Sequence, residues 1–599
     1  MKKRKNTSKL SKMAATALIL STIVSPAIPY NVKAASENTA TLRILETTDL
    51  HSNVLPYDYF KDAPVTNYGL AKTATLIKQA RSEVDNSMLF DAGDTIQGNP
   101  LASYVAKVHK LGPNDTHPIY KAMNYLQYDA GIVGNHEFNY GLDYLNDVQQ
   151  EVQFPIVNAN IYKDDHDSDP SNDINYFTPY QIINKTIKDA AGNESTIKVG
   201  VIGFAPPQIM QWDKDNLTGK VITKDIVDQA NKFIPQMKAE GADVIVAIAH
   251  SGCDIAAEGQ EEAENAVYDL TKVPGIDAML FGHAHLNFPG DASFNGKTGI
   301  DNTNGTINGV QAVEAGFWGN NLGVLDLALV KDTAGKWTVD KANSKSVNRP
   351  VSADTASDAT IVSDTQAIHD QTLAYVRGKI GTTEIPMHSF FTRVMDDAST
   401  QIVNNAQMDY VKKAIANTEY KDYPVLSAAA PFKGGRGGVA DYTNIAKGEV
   451  TIKSAADLYL FDNTLKAVEV TGDQVKRWIE ESAKQFNTID PNKEGNQDLL
   501  DYDFRPYNYD VIDGVKYEID VTKPKGERVV NLTMMDGTPV QMDQKFIVAT
   551  NNYRAGGSGG LAELKTAKVI VDSPFENRQI LMDYITAKGT INPVADNNW

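Results

Sequence analysis

The chain has 599 residues, which is too long for one hydrophobic core, so two or more domains are expected. Hydrophobic residues make up 42% and charged residues 22%, a composition typical of a globular protein. The formal charge of −19 repels nucleic-acid backbones, which argues against a nucleic-acid polymer as a partner.

Residues 1–34 have the pattern of a secretory signal peptide. Basic residues precede a short apolar run from Met13 to Val24, and Val32 to Ala34 offers a small-residue cleavage site. The run is too short to span about 30 Å of hydrocarbon, and no later segment is long enough. We therefore expect a secreted protein, extracellular or wall-associated (periplasmic in a Gram-negative source), with no integral membrane span.

Cys253 is the only cysteine, so the chain cannot form an intramolecular disulfide. It follows His250 by three residues, which would suit a ligand or a nucleophile. A small buried side chain is the more common role of such a cysteine, and we expect that role here.

From Thr41 to about Asn343, short β-rich runs alternate with helix-length segments, which predicts a layered α/β domain. Leu70 to Val84 and Thr223 to Ala239 are predicted helices. The predicted buried strands are Leu42–Thr47, Met88–Phe90, Gly131–Val133, Val199–Phe204, Val244–Ala249 and Ala278–Phe281.

A polar-faced helix over 355–377 is predicted to join this domain to a second α/β region, which runs from Gly381 to Trp599. The second region contains two glycine-rich loops, Gly434–Gly438 and Gly556–Gly560. The expected division is a signal peptide at 1–34, a catalytic domain at 41–345, a linker helix at 350–378 and a C-terminal domain at 379–599.

Metal-ligand side chains follow five predicted strands directly. Because strand ends in an open α/β sheet converge on one crevice, these side chains are expected to lie close together. In chain order the motifs are Asp49-Leu50-His51, Gly93-Asp94, Gly134-Asn135-His136-Glu137, His250 alone, and Gly282-His283-Ala284-His285.

Each motif alone is weak, because a single histidine after a strand is usually a hydrogen-bonded structural residue. Five of them in order favour a metal site. The imidazole, carboxylate and amide groups suit Zn²⁺, Mn²⁺, Fe or Co²⁺, and they outnumber the ligands of one tetrahedral ion. Two ions roughly 3.5–4 Å apart that share a carboxylate would account for them.

The five motifs, in this order, resemble those of the calcineurin-like metallophosphoesterases. Beyond the motifs, the chain after residue 34 resembles the bacterial 2′,3′-cyclic-nucleotide 2′-phosphodiesterase/3′-nucleotidases, which are relatives of the 5′-nucleotidases. The segments that carry this second resemblance are Thr47–Asn53, Gly134–Gly141, Asn551–Ala555 and Ala595–Trp599.

The resemblance implies a fold, a ligand set and a mechanism. The fold would be a β-sandwich flanked by helices, joined by a helix to an α/β nucleotide-binding domain. Two divalent ions would provide hydroxide for in-line attack on phosphorus. Asp49, His51 and His285 would hold one ion, Asn135, His250 and His283 the other, and Asp94 would bridge them. His136 would stabilise the phosphoryl group or protonate the leaving oxygen.

The resemblance also implies how the second domain binds a nucleotide. Phe461 and Tyr553 would stack on the two faces of the base, although Tyr459 is close enough to Phe461 to take its place. Asn463 would contact the base edge, and Arg436 would contact ribose or phosphate.

Two departures from the 5′-nucleotidases bear on the mechanism and on the substrate. Asn139 stands where they carry an aspartate that supports the histidine, so we expect His136 to act more by orientation and hydrogen bonding than by full proton transfer. Ser558 stands where they carry an aspartate that contacts ribose, which favours the cyclic and 3′-nucleotide activity. The predicted activity is therefore hydrolysis of 2′,3′-cyclic nucleotides to 3′-nucleotides, and of these to nucleoside and phosphate. The alternatives are a 5′-nucleotidase or nucleotide-sugar hydrolase and, from another class, an inactive secreted nucleotide-binding protein. No protein partner is implied.

Overall fold

The computed structural model describes residues 38–599 except 110, 113, 114, 168, 437, 439, 440 and 462. The predicted signal peptide at 1–34 lies outside the described residues. Among the described residues, no helix combines the length and the apolar character needed to cross a membrane.

Two sheets form the N-terminal domain. Their principal strands are β1 (Thr39–Thr47), β2 (Ser87–Asp91), β3 (Ala130–Gly131), β4 (Tyr180–Lys188), β5 (Glu194–Phe204), β6 (Val244–Ala249), β7 (Ala278–Phe281), β8 (Val310–Ala315), β9 (Asn321–Lys331) and β10 (Trp337–Pro350). The first sheet has the order β10-β9-β1-β2-β3, and the second contains the order β8-β7-β6-β5-β4. Strands β1, β2 and β3 are parallel, as are β5, β6, β7 and β8.

The two sheets pack face to face around an apolar interior. Fully buried side chains from both sheets meet there, among them Leu42, Phe90, Val246, Leu280 and Leu325. Burial of this kind contributes about 25 cal/mol per Å² of apolar surface, so the interior is a main source of stability. This arrangement confirms the predicted β-sandwich.

Helices cover the outer faces of the sandwich. Helices α1 (Leu70–Ser82), α3 (Pro118–Leu126) and α4 (Leu142–Gln149) pack on the first sheet, and α5 (Ile226–Ala239) packs on the second. A further helix, α2 (Pro100–Lys107), packs toward the C-terminal domain instead.

Local capping explains why some element bounds differ from the predicted ones. Helix α5 begins at Ile226 and not at Thr223, because the Asp225 carboxylate caps it by accepting the N–H of Asp228. Strand β3 ends at Gly131, before the predicted Val133, because the chain turns there and the Gly134 N–H donates to the Glu137 carboxylate.

The C-terminal domain follows helix α6 (Ala359–Val376), whose start is capped by Asp358. Its main strands are β11 (Val425–Ala429), β12 (Thr464–Thr471), β13 (Val511–Asp513), β14 (Lys545–Asn551) and β15 (Lys568–Glu576), in the order β13-β11-β14-β12-β15. Its principal helices are α7 (Ala398–Ile415), α8 (Ile452–Leu458), α9 (Gly472–Ser482) and α10 (Asn577–Lys588). This mixed α/β domain agrees with the predicted fold class.

Apolar packing and charge pairing join the two domains. Leu101 and Val105 of α2 belong to the same buried cluster as side chains of α7, α8 and α10. The Asp62 carboxylate accepts hydrogen bonds of 2.8 and 3.0 Å from the Arg377 guanidinium, and the Arg578 guanidinium lies 3.6 Å from the centre of the Phe60 ring. Phe60 also lines a cleft of about 860 Å³, to which side chains of both domains contribute.

Glu46 is a carboxylic acid inside the sandwich. It lies on β1 opposite Gly323 of β9, where a larger residue would collide with it. Burial raises the pKa of Glu46 well above its ordinary value, and the negative charge of Glu314 adds to this effect.

We predict that Glu46 makes the folded protein lose stability as the pH rises. The unfolded chain releases this proton near pH 4.3, whereas the folded chain retains it, so the free energy of unfolding falls by up to about 1.4 kcal/mol per pH unit above pH ~5. Urea unfolding between pH 5 and 8 should show a shallower slope in Glu46→Gln than in the wild type, and an unchanged slope in the exposed control Glu194→Gln. Parallel profiles for wild type and Glu46→Gln would contradict the prediction.

Candidate metal centre

The five predicted motifs meet at one end of the sandwich. The loops after β1, β2 and β3 come from the first sheet, and those after β6 and β7 come from the second. Their ligand atoms form three groups in which all atoms lie within 4.8 Å of one another. The groups are Asp49, His51 and His285; His51, Asp94 and His136; and Asp94, His250 and His283.

Asp49, His51 and His285 form one side of the centre. His285 Nε2 lies 3.2 Å from both Asp49 Oδ1 and His51 Nε2. Asp49 is fully buried, and its Oδ1 receives no well-aligned hydrogen bond. A buried carboxylate oxygen without such a partner costs free energy, so this atom fits a cation ligand.

His250, His283 and Asn135 form the other side, with Asp94 between the two. His250 Nε2 lies 2.9 Å from Asp94 Oδ2 and 3.1 Å from Asn135 Oδ1, and the same Asp94 oxygen lies 3.9 Å from His51 Nε2. Burial alone would raise the pKa of Asp94, but the imidazoles of His250 and His136 hold it well below its ordinary value. Asp94 is therefore ionised, and it lies between the group of His51 and the group of His250.

The two buried aspartates of the centre favour positive charge beside them. Although burial opposes its charged form, Asp94 and Asp49 raise the pKa of His250 to about 10. Burial lowers the pKa of His51 to about 4, so this imidazole is neutral at pH 7 and its lone pair can bind a metal. Imidazole, carboxylate and amide donors without thiolate suit the divalent ions expected from the sequence, and the residues present fit them.

Hydrogen bonds outside the centre decide which ring nitrogen of each histidine faces it. His51 Nδ1 lies 2.7 Å from Gln97 O, and His250 Nδ1 lies 2.8 Å from Ala92 O, so both rings present Nε2. His283 Nε2 lies 2.8 Å from the Glu264 carboxylate, which leaves Nδ1 for the centre. Such partners fix the tautomer and orientation of metal-binding histidines. No sequence motif identified them, because they are backbone carbonyls or distant in the chain.

Glu137 ties two of the ligand loops together. Its fully buried carboxylate accepts the backbone N–H groups of Asp94, Thr95, Ile96 and Gly134, at 2.6 to 3.2 Å. Glu137 belongs to the Gly134-Asn135-His136-Glu137 motif, but no role was predicted for it. Its place beside His136 in the motif is the sequence feature that could have indicated one.

The ligand loops have a strained backbone. Non-glycine residues with positive φ are uncommon, and residues in sparsely populated backbone regions cost about 1–3 kcal/mol each. The predicted ligands with positive φ are Asp49, His51, Asp94, His283 and His285, at 45° to 75°. The adjoining glycines are required by space, because a Cβ at Gly134 would collide with Asp94 Oδ1 and one at Gly282 with Thr48 Oγ1.

His136, the predicted catalytic residue, lies beside the centre. Its Nε2 is 4.0 Å from Asp94 Oδ2, and its ring centre is 5.1 Å from that of His51. Its Nδ1 lies 2.6 Å from Asn139 Oδ1. The side chain is partly exposed and lines the cleft, so it is accessible to a molecule bound there.

Most of the predicted nucleotide-binding residues lie outside the lining of the cleft. Among the described residues, the cleft lining includes Asn463 but not Phe461, Tyr553 or Arg436. Phe461 and Tyr553 are 38% and 40% exposed, whereas Tyr459 is buried and hydrogen-bonded to Asn551, so Phe461 is the ring available for stacking. Arg436 is exposed and donates to the Tyr502 carbonyl at 3.3 Å.

We predict that divalent ions stabilise the protein through Asp94. An ion at one hundred times its dissociation constant adds about 2.7 kcal/mol to the free energy of unfolding. Thermal unfolding of the metal-free protein with added Mn²⁺ or Zn²⁺ should therefore show a rising midpoint. Asp94→Asn should lose most of this shift, while Asp165→Asn, in an exposed acidic loop, should keep it. An equal shift in Asp94→Asn would place the ions elsewhere.

Comparison with known proteins identifies both domains. Residues 42–287 match the calcineurin-like phosphoesterase family, and residues 379–566 match the 5′-nucleotidase C-terminal domain. The chain is 47% identical to a 2′,3′-cyclic-nucleotide 2′-phosphodiesterase/3′-nucleotidase of Salmonella typhimurium, over 94% of this chain and 90% of that protein. It is also 47% identical to the trifunctional nucleotide phosphoesterase protein YfkN of Bacillus subtilis, over the whole of this chain, which spans 41% of the length of YfkN.

The fold likewise matches a solved structure. A putative 5′-nucleotidase from Staphylococcus aureus is 26% identical and has a TM-score of 0.58, covering 91% of this chain and 97% of that one. The two domains of the present chain are thus those of known phosphoesterases, in the same order. The chain belongs to the calcineurin-like metallophosphoesterases that carry a 5′-nucleotidase C-terminal domain.

Proposed function

We propose that this protein is a secreted enzyme that hydrolyses 2′,3′-cyclic nucleotides to 3′-nucleotides, and these to nucleoside and phosphate. The observation that carries the proposal is the placement of Asp94 between two groups of ligands in the cleft. The name of the Salmonella relative, which is similar over nearly the full chain, supports this choice of substrate. Export is supported by the basic and apolar pattern of residues 1–34.

Two divalent ions are part of the proposal. Asp49, His51 and His285 would hold one ion, Asn135, His250 and His283 the other, and Asp94 would bind both. When bound, the ions supply a hydroxide nucleophile at neutral pH and neutralise charge on the phosphoryl oxygens.

His136 would act on the phosphoryl group or the leaving oxygen. Its Nδ1 faces Asn139, so its Nε2 is the ring atom that points toward the centre. When both ring nitrogens are protonated, Nε2 can donate a hydrogen bond to a phosphoryl oxygen or a proton to the departing alkoxide. The same position serves both hydrolytic steps if the ester is repositioned between them.

The C-terminal domain would bind the nucleoside. Phe461 and Tyr553 would stack on the base, Asn463 would contact its edge, and Arg436 would contact ribose or phosphate. Because Phe461 and Tyr553 lie outside the cleft lining, we propose that the domains turn relative to each other, with α6 as the hinge support, to bring a bound nucleotide to the metal ligands.

A 5′-nucleotidase is the second candidate, favoured by the match to the S. aureus structure. Ser558, which stands where an aspartate that contacts ribose is expected in that group, favours the cyclic and 3′-nucleotide activity instead.

We predict that the Mn²⁺-loaded enzyme releases phosphate and adenosine from 2′,3′-cyclic AMP and from 3′-AMP faster than from 5′-AMP. Asn135→Ala removes a proposed ligand and should abolish turnover of all three esters. Preference for 5′-AMP would keep the metal centre and reassign the substrate. Binding of the nucleotides without turnover by the wild type would indicate an inactive binding protein.

We predict that removal of a stacking ring weakens substrate binding more than it slows chemistry. A base–aromatic stack contributes about 1–3 kcal/mol, so Phe461→Ala or Tyr553→Ala should raise KM by roughly 5- to 150-fold with a smaller change in kcat. Steady-state kinetics on 3′-AMP would measure this, with Tyr125→Ala, a partly exposed ring on the N-terminal domain, as control. A KM unchanged in both variants would refute the stacking assignment.

A further inference from the structure

The buried carboxylate of Asp213 accepts hydrogen bonds from Asn139, the residue that contacts His136. The side-chain nitrogen of Asn139 donates to both carboxylate oxygens of Asp213, at 3.1 and 3.2 Å. On its other side, Asn139 Oδ1 lies 2.6 Å from His136 Nδ1. The three side chains therefore form a continuous line that ends at the metal centre.

The Asp213 carboxylate determines the direction of the hydrogen bonds that join these three side chains. A carboxylate only accepts hydrogen bonds, so the Asn139 amide must turn its NH₂ group to Asp213 and its oxygen to His136. The amide oxygen in turn accepts, so the ring nitrogen that faces it must be the protonated one. Nδ1 thus carries a proton, and Nε2 is the atom left to face the centre. Burial raises the pKa of Asp213 to about 6, with the Asn139 amide opposing this, so the group is mainly ionised at pH 7.

Asp213 is itself held firmly. It is 4% exposed and lies between two short helices, Ile209–Trp212 and Lys214–Leu217. Its N–H donates to Ile209 O at 2.9 Å, and its carbonyl accepts from Asn216 and Leu217. Asn216 Nδ2 also donates to Phe138 O at 2.9 Å, which ties these helices to the His136 loop.

The same segment contacts the second half of the metal centre. The Trp212 ring stacks on His283, with ring centres 5.7 Å apart and planes inclined by 27°. Adjacent residues thus support the proposed catalytic histidine and a proposed metal ligand. The carboxylate accepts from the side-chain amides of Asn139 and Asn216, and a buried carboxylate held by neutral amides is costly for a fold, which argues for a role in the site.

We infer that Asp213 is a positioning residue that fixes the tautomer and orientation of His136 through the Asn139 amide. The inference rests on the proposed function to the extent that His136 acts in phosphoester hydrolysis. Asp213 does not touch the substrate, and its contribution is to keep the Asn139 amide in one of its two possible orientations.

Exchange of the two side chains tests the inference. Asp213→Asn frees the Asn139 amide to turn, and kcat should fall by about tenfold or more with little change in KM, as for loss of other partners that orient histidines. Asn139→Asp alone places two carboxylates face to face and should also lower kcat. In the double variant, the carboxylate at position 139 accepts from His136 and the amide at position 213 donates to that carboxylate. We therefore expect kcat to recover to within about threefold of the wild type.

The experiment uses the full Mn²⁺-loaded chain, with whichever adenosine ester the wild type turns over and with bis-p-nitrophenyl phosphate as a general phosphodiester. Thermal unfolding checks the fold of each variant, and Asp147→Asn, exposed on α4, is the control. Recovery in the double variant supports the inference, because a merely structural role predicts losses that multiply. An unchanged kcat in Asp213→Asn, or no recovery in the folded double variant, would overturn it. Failure of the proposed function would instead be seen as a different ester preference of the wild type.

Discussion

Two buried carboxylates, Asp49 and Asp94, share the end of the sandwich, and they remain ionised there because neighbouring imidazoles, above all that of His250, offset the cost of their burial. In a water-poor environment an unpaired carboxylate is far less stable than in solution. Loops from both sheets converge on these two carboxylates and place histidine side chains next to them. The topology meets this requirement, because parallel neighbouring strands end at the same edge of a sheet. Divalent ions held there would complete the charge balance and would supply the chemistry for hydrolysis of a phosphoester.

Hydrogen bonds around the centre offset the free-energy cost of its strained backbone. Five of the predicted ligands adopt left-handed backbone conformations, and such strain persists only where neighbouring contacts over-determine it. Glu137 supplies several of these contacts, because one carboxylate receives four backbone N–H groups from two loops. Glu264 and the backbone carbonyls behind His51 and His250 hold the rings in place. The result is a well-supported cluster beside a cleft that side chains of both domains line.

The sequence predicted most of the candidate site because its chemistry is local. A buried strand followed at once by an aspartate or histidine can be recognised without knowledge of the fold, and all seven predicted ligands lie in such motifs. Element bounds were less accurate, since a capping side chain such as Asp225 moves a helix start by a few residues. The supporting residues could not be found in this way. Glu264 and Asp213 are separated in sequence from the histidines that they support, and only tertiary packing brings them there. The position of Phe461 outside the cleft depends on how the domains pack, on which a linear pattern carries no information.

We propose that two ions share Asp94. Anomalous diffraction from crystals grown with Mn²⁺ would locate the ions without reference to activity. We expect two peaks roughly 3.5–4 Å apart, one beside Asp49, His51 and His285, the other beside Asn135, His250 and His283, and both within bonding distance of the Asp94 carboxylate. A single peak, or two peaks of which only one contacts Asp94, would contradict it.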